Sequence, residues 1–312
     1  MISYVIPVYN EVKSIKQLYE EIIEYTHKLT DQHYEIIFVD DGSTDNSYKI
    51  MKEISQLDNN VKIIKFRRNF GKSAGLQHGF EAARGEYIFT LDSDLQDNPV
   101  EIPRFLNKIQ EGYDLVVGWK ENRQDPVSKT LPSKVFNFFT TKSFQLKLHD
   151  YNCGFKLFRR ELVKELNIYG EMHRYIPAIA NAKGFKVTEI PVHHRKREFG
   201  KSKFGLERYL RGFLDLLTVK LVTQYVKSPL YLFGGIGTIL SSIGVLIGIY
   251  LTILKYGFGH SLSNRPLLFL TILLIILGLQ FFSIGLLGEL IVNQMHSRKK
   301  RKLVSIEEKI NF

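Results

Sequence analysis

The chain has 312 residues, a formal net charge of +11 and a single cysteine, Cys153. This length allows one large domain or two modest ones with full cores, and one cysteine excludes an intrachain disulfide and fits a reducing compartment. The basic residues crowd around two long uncharged segments, and no nucleic-acid module is recognisable, so we do not expect nucleic acid as a partner.

The first 120 residues alternate apolar strand patterns with helical patterns. Strands that are apolar throughout and separated by helices are typical of a parallel sheet covered on both faces. The alternation therefore predicts an α/β fold with a mostly parallel sheet flanked by helices. In chain order we expect strand 2–8, a helix from about 12 to 23, strand 34–39, a helix from 45 to 57, strand 61–66, a helix from 72 to 84, strand 87–91, helix 99–111 and strand 114–118.

Polar residues follow three of these predicted strands. Asn10 and Glu11 follow the first strand, Asp40-Asp41 the second, and Asp92-Ser93-Asp94 the fourth. Each could be an ordinary solvated turn, since Asp and Ser favour turns. Ligands bind beyond the carboxyl ends of the strands in such sheets, and all three ends fall on that edge. Their convergence favours a binding site over three unrelated turns.

Asp92 and Asp94 stand one residue apart on one extended segment, so both carboxylates can reach one spot. Mg²⁺ is usually held by one or two carboxylates together with phosphate oxygens. A cation that bridges a diphosphate stabilises it as a leaving group without proton transfer. The carboxylates of Asp40 and Asp41 could accept hydrogen bonds from a nucleobase or ribose.

Two other nucleotide motifs are not supported. The segment 69–75 contains Gly-Lys-Ser, but a P-loop requires glycine where Phe66 stands, and no G-x-G-x-x-G follows the first strand. We expect Gly71 to open a helix beside the site instead.

Residues 229–254 and 266–288 contain no charged residue, and each run exceeds the roughly 20 apolar residues that cross a bilayer. Two buried core helices of a soluble protein are the alternative. Basic clusters flank the pair at 195–211 and 296–302, and the positive-inside rule then puts both termini in the cytoplasm and the connection 255–265 outside. The N-terminus lacks a basic leader, so we expect no signal peptide.

The basic segment 195–203 contains both Arg and Lys, which bind phosphate. A solvated charge run and a patch for lipid headgroups are the less favoured alternatives. Segments 128–148 and 206–226 mix aromatic and aliphatic residues with lysines and could lie in the bilayer interface, and a core helix is the alternative for 128–148.

His193 and His194 have no metal-ligand spacing, and we interpret them as structural.

Six segments occur in an order and spacing that resembles glycosyltransferase family two, which has a GT-A fold. The resemblance is closest to the polyprenyl-phosphate sugar transferase group and spans nearly the whole chain, including both C-terminal apolar segments. The segments are VIPVYNE, VDDGSTD, NFGKSAGL, TLDSDLQDNPVEIP, DYNCGFKLFRRE and EIPVHHRKREFGKSKF.

The resemblance implies inverting transfer of one sugar from a nucleotide sugar to polyprenyl phosphate at the cytoplasmic face of the membrane, with Mg²⁺ or Mn²⁺ as cofactor. UDP-glucose is the first donor to consider, and UDP-N-acetylglucosamine, UDP-formamido-arabinose and GDP-mannose are alternatives. A polysaccharide synthase is a further alternative, although its Q-x-x-R-W motif is absent, and so is an inactive membrane scaffold. A homo-oligomer is compatible with the sequence.

The resemblance also assigns residues and regions. Pro7, Tyr9, Glu11, Asp40 and Asp92 would contact the nucleotide; Asp92, Asp94 and Gln96 would hold the metal; Arg123, Arg197 and Lys203 would hold the acceptor phosphate. Asp94 and Asp150 would be catalytic, Asp150 by orienting acceptor or donor. The expected regions are a cytoplasmic catalytic domain (1–205), a juxtamembrane amphipathic helix (206–228), a two-helix membrane region (229–292) and a basic cytoplasmic tail (293–312).

Overall fold

A computed structural model describes residues 1–29, 33–120, 141, 144, 146–193, 195, 218, 219, 221, 229–259, 261, 266–295 and 306–311. The chain packs as two units, Met1–Val219 together with Lys302–Phe312, and Lys220–Arg301. The expected acceptor residues Arg123, Arg197 and Lys203 lie outside the described residues, as do His194, the cluster 296–302 and most of segments 128–148 and 206–226.

Within the described residues, eight strands form one sheet in the order β7-β5-β6-β4-β1-β2-β3-β8. They are β1 (Ile2–Val8), β2 (Tyr34–Asp40), β3 (Val61–Phe66), β4 (Tyr87–Thr90), β5 (Leu115–Lys120), β6 (Lys156–Arg159), β7 (Val187–Val192) and β8 (Ile306–Ile310). The pairs β1–β2, β1–β4, β2–β3 and β5–β7 are parallel, and β6 and β8 are antiparallel to their neighbours. The predicted mostly parallel sheet is confirmed, and the two antiparallel strands are additions to it.

The helices of this unit are α1 (Ile15–Leu29), α2 (Ser47–Leu57), α3 (Lys72–Ala82), α4 (Ile102–Gln110), α5 (Arg160–Glu165) and α6 (Ile176–Ala182). Short 3₁₀ turns precede α4 at Pro99–Glu101 and α6 at Met172–Tyr175. In α1, the side chains of Ile15, Leu18 and Ile22 recur at helical spacing, and all three are fully buried.

The last described strand, β8, was not expected from the sequence. It pairs antiparallel with β3, and Ile310 packs against the core while Glu308 is exposed. The side-chain amide of Asn311 donates to the carbonyl oxygens of Ser55 and Val61, each at 3.1 Å. Charged residues on such a strand are typical of a sheet edge, where they discourage pairing with other chains. The C-terminal segment therefore belongs to the same sheet as β1.

Part of segment 128–148 belongs to the core of the first unit. Phe144 is 5% exposed and Leu148 is 8% exposed, and both pack within the main hydrophobic cluster. Their burial favours the core alternative over the bilayer interface at this end of the segment.

The second unit contains α7 (Pro229–Phe258) and α8 (Pro266–Met295), both long and apolar enough to cross a membrane. Large apolar side chains face outward along both helices, such as Leu246 and Phe269, which are 66% and 74% exposed. Core helices of a soluble protein would bury such side chains. The two helices therefore fit transmembrane spans.

Glycines bring these two helices into backbone contact. A Cβ atom added at Gly278 would lie 2.6 Å from the carbonyl oxygen of Gly237 and 2.1 Å from Oγ of Ser241. Close backbone approach through small residues is how membrane helices associate, since the lipid supplies no hydrophobic driving force between them.

Candidate active site

A cavity of about 360 Å³ opens at the carboxyl ends of β1 and β4. Five of the residues named from the resemblance line it together, namely Pro7, Tyr9, Glu11, Asp92 and Asp94. The other lining residues are Val8, Asp41, Asn69, Gly71, Lys72, Ser93, Glu171 and His173. Parallel pairing places these strand ends side by side, because Val8 at the end of β1 is in register with Asp40 at the end of β2.

Asp41 holds the loop that leads into α3. Its Oδ1 accepts from the backbone N–H of Phe70 at 2.6 Å, and its Oδ2 accepts from that of Gly71 at 2.9 Å. Gly71 has a φ of 91°, which favours glycine, and it directly precedes the helix as expected. Burial raises the pKa of Asp41 to about 6, against the opposing effect of these two backbone donors.

Asp40 directly precedes Asp41 in the chain but does not line the cavity. It is fully buried, and its Oδ1 accepts from the backbone N–H of Ser43 at 2.9 Å. Its Oδ2 is buried without a hydrogen-bond partner among the described residues. Burial raises the pKa of this carboxyl group. A buried, unpaired carboxylate oxygen is costly, and Asp40 is not among the residues that line the cavity.

Asp92 is surrounded by positive charge. Its Oδ1 accepts a hydrogen bond from Nζ of Lys72, and both side chains are about one-third exposed. Burial disfavours ionisation of Asp92, but the charges of Lys72, Lys120 and Lys156 outweigh it and lower its pKa to about 2. Asp92 is therefore an ionised carboxylate at neutral pH.

The loop that carries both carboxylates is held in a special conformation. Leu95 is buried and has a φ of 62°, in the left-handed region that non-glycine residues rarely adopt. Oδ1 of Asp94 accepts from the backbone N–H of Gln96 at 3.2 Å, and the hydroxyl of Ser14 donates to the carbonyl oxygen of Ser93 at 2.6 Å. Such strain persists when surrounding contacts hold it, and it often marks functional sites.

Asp97 supports this loop from inside the protein. Its Oδ2 accepts from the backbone N–H of Asp92 at 3.1 Å, and the residue is 3% exposed. Burial, together with the negative charges of Asp92 and Asp94, raises the pKa of Asp97 to about 7.

The residues present fit a divalent cation. The carboxylates of Asp92 and Asp94 line one cavity. Among the described residues, no group of three or more His, Cys, Asp and Glu side chains is arranged to hold a metal, so the protein would supply only part of the cation's ligands. Mg²⁺ is commonly bound through one or two carboxylates with phosphate oxygens and water completing its shell. Gln96 does not line the cavity, and its side-chain amide donates to the carbonyl oxygen of Arg195 at 3.4 Å.

A second layer of charge lies where β5 ends and β6 begins. Asp150 is 1% exposed, and its Oδ1 accepts from the backbone N–H of Asn152 at 3.0 Å. Lys156 is buried and donates to the carbonyl oxygen of Cys153, and burial lowers its pKa to about 8. Burial opposes the charge of Lys120, but Cys153 and the carboxylates of Asp97, Asp150 and Asp92 raise its pKa.

His173 lines the same cavity as Asp92. Its Nδ1 lies 2.9 Å from Oγ of Ser73, and the same Oγ accepts from the His173 backbone N–H at 3.0 Å. Burial and the charges of Lys72 and Arg174 hold its pKa well below the usual range, so the imidazole is neutral.

The sequence patterns do not indicate Lys72, Lys120, Lys156 or His173 as site residues. Lys72 was recognisable as the residue after Gly71 at the expected helix start. Lys156 and His173 had no local signal, because only the antiparallel return of β6 and the packing of the 3₁₀ turn 172–175 bring them to this edge.

The fold resembles that of a solved glycosyltransferase. The structure of glucosyl-3-phosphoglycerate synthase from Mycobacterium tuberculosis in complex with Mn²⁺, uridine diphosphate and phosphoglyceric acid superposes with a TM-score of 0.55 at 19% sequence identity. The match covers 70% of this chain and 78% of that one. At 19% identity this similarity concerns the fold alone, and it shows that this chain has a GT-A fold.

Sequence comparison establishes the family. The model of Glycosyl transferase family 2 matches residues 3–166. The chain is 36% identical over 299 residues to dodecaprenyl-phosphate galacturonate synthase of Rhizobium johnstonii, covering 93% of this chain and 87% of that protein. It is 36% identical over 315 residues to undecaprenyl-phosphate 4-deoxy-4-formamido-L-arabinose transferase of Proteus mirabilis, covering 98% and 95%. The chain belongs to glycosyl transferase family 2 and is a glycosyltransferase.

Proposed function

We propose that this enzyme transfers one sugar from a nucleotide sugar to polyprenyl phosphate, with inversion at the anomeric carbon. An acceptor phosphate oxygen forms a bond to C1 of the sugar while the bond from C1 to the donor diphosphate breaks. The observation that carries this proposal is similarity over at least 93% of the chain, membrane helices included, to two proteins named for polyprenyl-phosphate acceptors.

The donor would occupy the cavity at the ends of β1 and β4. Pro7 at the end of β1, with Tyr9 and Glu11 just after it, would contact the nucleotide from the cavity wall. The family resemblance adds Asp40, although Asp41 is the carboxylate after β2 that lines the cavity. A uridine nucleotide is our first expectation, with UDP-glucose ahead of UDP-N-acetylglucosamine and UDP-formamido-arabinose, and GDP-mannose as the other alternative.

The donor diphosphate would lie beside Asp92 and Asp94. When bound, Mg²⁺ or Mn²⁺ would neutralise the charge that develops on the departing diphosphate. Lys72 would be free to exchange its contact with Asp92 for the donor's phosphates, since it lines the same cavity. The loop of Leu95 would keep both carboxylates in place throughout the reaction.

The acceptor needs positioning more than deprotonation, because a phosphate monoester with a pKa near 6 is mostly dianionic at neutral pH. Arg123, Arg197 and Lys203 would bind that phosphate, as the family resemblance implies. Asp150 would orient acceptor or donor from beside Lys120.

The enzyme would work at the cytoplasmic face, with both termini on that side. β1 and β8 belong to one sheet, and α7 and α8 lie between them in the chain. Two membrane crossings return the chain to its starting side, which agrees with the flanking basic clusters at 195–211 and 296–302.

The test is sugar transfer by the full-length protein in detergent. Polyprenyl phosphate would be incubated with labelled UDP-glucose, UDP-N-acetylglucosamine, UDP-formamido-arabinose, GDP-mannose and a galacturonate donor, and we expect one donor to label the lipid and release its nucleoside diphosphate. An inactive scaffold would label no lipid with any donor, and a polysaccharide synthase would make a product longer than one sugar.

Asp94→Asn should reduce this transfer by at least about a hundredfold, because it removes one of two anionic metal ligands. Chelation by EDTA should have the same effect on the wild-type enzyme, and added Mn²⁺ should restore its activity. The variant's melting temperature should match that of the wild type. Transfer that survives both the substitution and EDTA would overturn the metal assignment.

A further inference from the structure

The first residue of the basic segment, Arg195, is half-buried and hydrogen-bonds to protein groups through both Nη atoms. Its Nη1 contacts both carboxylate oxygens of Glu21 at 2.9 Å, and its Nη2 donates to Oδ1 of Asn98. Its backbone N–H donates to the carbonyl oxygen of Gln96 at 3.1 Å. Its own carbonyl oxygen accepts from the Gln96 side-chain amide at 3.4 Å. The charge of Arg195 is therefore neutralised by α1 and is not available to an acceptor phosphate.

These contacts act on the loop that carries the two carboxylates. Gln96 donates its backbone N–H to Asp94, and the strained Leu95 lies between them. Arg195 thus holds the C-terminal end of the loop by main-chain and side-chain contacts. Ser14, the residue before α1, holds the start of the loop through its hydrogen bond to Ser93.

We propose that Arg195 is a positioning residue for the metal and donor loop, and that Glu21 acts through it. The proposal rests on the proposed function, because it assigns what the loop 92–96 binds. Outer residues that orient metal ligands commonly change metal affinity by tenfold or more when replaced. Glu21 is suited to this role, since it pairs with Arg195 while both side chains are largely covered, at 18% and 26% exposed.

α1 supplies a matched control. Glu24 stands three residues after Glu21 on the same helix and pairs with Lys28, but both of those side chains are exposed, at 56% and 61%. Such an exposed pair contributes little. Glu24→Gln makes the same chemical change as Glu21→Gln without touching the loop.

The experiment measures Mn²⁺ binding to the full-length protein by electron paramagnetic resonance in the presence of uridine diphosphate. We expect Glu21→Gln and Arg195→Met each to weaken Mn²⁺ binding about tenfold, and Glu24→Gln to leave it unchanged. The double variant should be no weaker than Arg195→Met alone, because Glu21 acts only through Arg195. If Arg195→Met does not fold, Arg195→Lys should give an intermediate affinity.

Hydrogen exchange of the peptide that covers residues 92–98 gives a second readout, without metal or nucleotide. Exchange should be faster in Glu21→Gln than in the wild type and unchanged in Glu24→Gln. Wild-type exchange rates and Mn²⁺ affinity in Glu21→Gln would overturn the positioning role. If the wild type binds no Mn²⁺ but Glu21→Gln still accelerates exchange, the proposed metal-dependent function fails and the role of Arg195 in holding the loop stands.

Discussion

Gly154 faces Asp92 so closely that no side chain fits between them. A Cβ atom at Gly154 would lie 2.5 Å from Cγ of Asp92 and 2.6 Å from its Oδ2. Gly154 lies just before β6, whose antiparallel course brings it to the carboxyl end of β4. The position of the Asp92 carboxylate thus depends on a glycine 62 residues later in the chain.

Gly154→Ala should therefore displace Asp92 and lower kcat/KM by about a hundredfold, since misplacement by about 1 Å can have that effect. Gly75→Ala is the control, because the nearest atom to its added Cβ is Cβ of Pro7, at an ordinary 3.4 Å. Steady-state kinetics of the two variants would decide. Equal activity in both would mean that Asp92 tolerates the shift.

A buried ion pair stabilises the opposite part of the sheet. Glu35 accepts from Nζ of Lys62 at 2.7 Å, from the Ser3 hydroxyl at 2.6 Å and from the Arg84 backbone N–H at 2.6 Å. Burial alone would raise the pKa of Glu35, but these donors outweigh it and lower the pKa below its usual 4.5. The charged form is therefore the one that stabilises the fold.

Glu35→Gln should lower the free energy of unfolding at neutral pH by about 3–5 kcal/mol, because Lys62 loses its buried partner. A carboxyl group with a depressed folded pKa contributes stability above its unfolded pKa and loses it as the pH falls. The difference between wild type and variant should therefore shrink below about pH 4.5. Thermal unfolding of both proteins across this pH range measures the difference. Glu165→Gln, in the exposed pair with Lys183, is the control. A stability difference between wild type and Glu35→Gln that does not change with pH would contradict the prediction.

At the scale of elements, the two membrane helices depend on backbone contact at Gly278. Gly278→Leu should separate α7 from α8 and destabilise the pair by about 1–3 kcal/mol, the usual cost of overpacking. The measurement is the melting temperature of the purified protein in detergent. Gly235→Leu is the matched control, since a Cβ there meets nothing within 4 Å. Equal melting temperatures would show that the helices do not pack through this contact.

At the scale of the whole molecule, the connection between the two spans should face the outside of the cell. A cysteine at Ser261 should react with an impermeant thiol reagent added to intact cells, and one at Ser305 should not. The native Cys153 should not react with the reagent, because it is buried and burial raises the pKa of its thiol to about 12. Labelling at Ser305 but not at Ser261 would reverse the proposed topology.

The sequence by itself determined the features that depend on neighbouring residues. Local residue patterns predict the alternation of strands and helices and the two uncharged spans. They also predict that Asp92 and Asp94 lie at the end of a strand. Motif order was then enough to indicate the family. These predictions succeed because hydrophobic periodicity and strand-end chemistry act over a few residues.

Only the tertiary structure decided which distant residues complete the site. The antiparallel pairing of β6 with β4 places Lys156 and Gly154 at the site. The contact with Ser73 places His173 there, and the ion pair with Glu21 on α1 holds Arg195. Likewise, β8 reaches the sheet only because β3 offers an unpaired edge. The contacts of these residues span up to 260 residues of sequence, as between Glu308 on β8 and Tyr48, and no local pattern encodes them. Long-range pairing and burial, which exist only in the folded chain, select these partners.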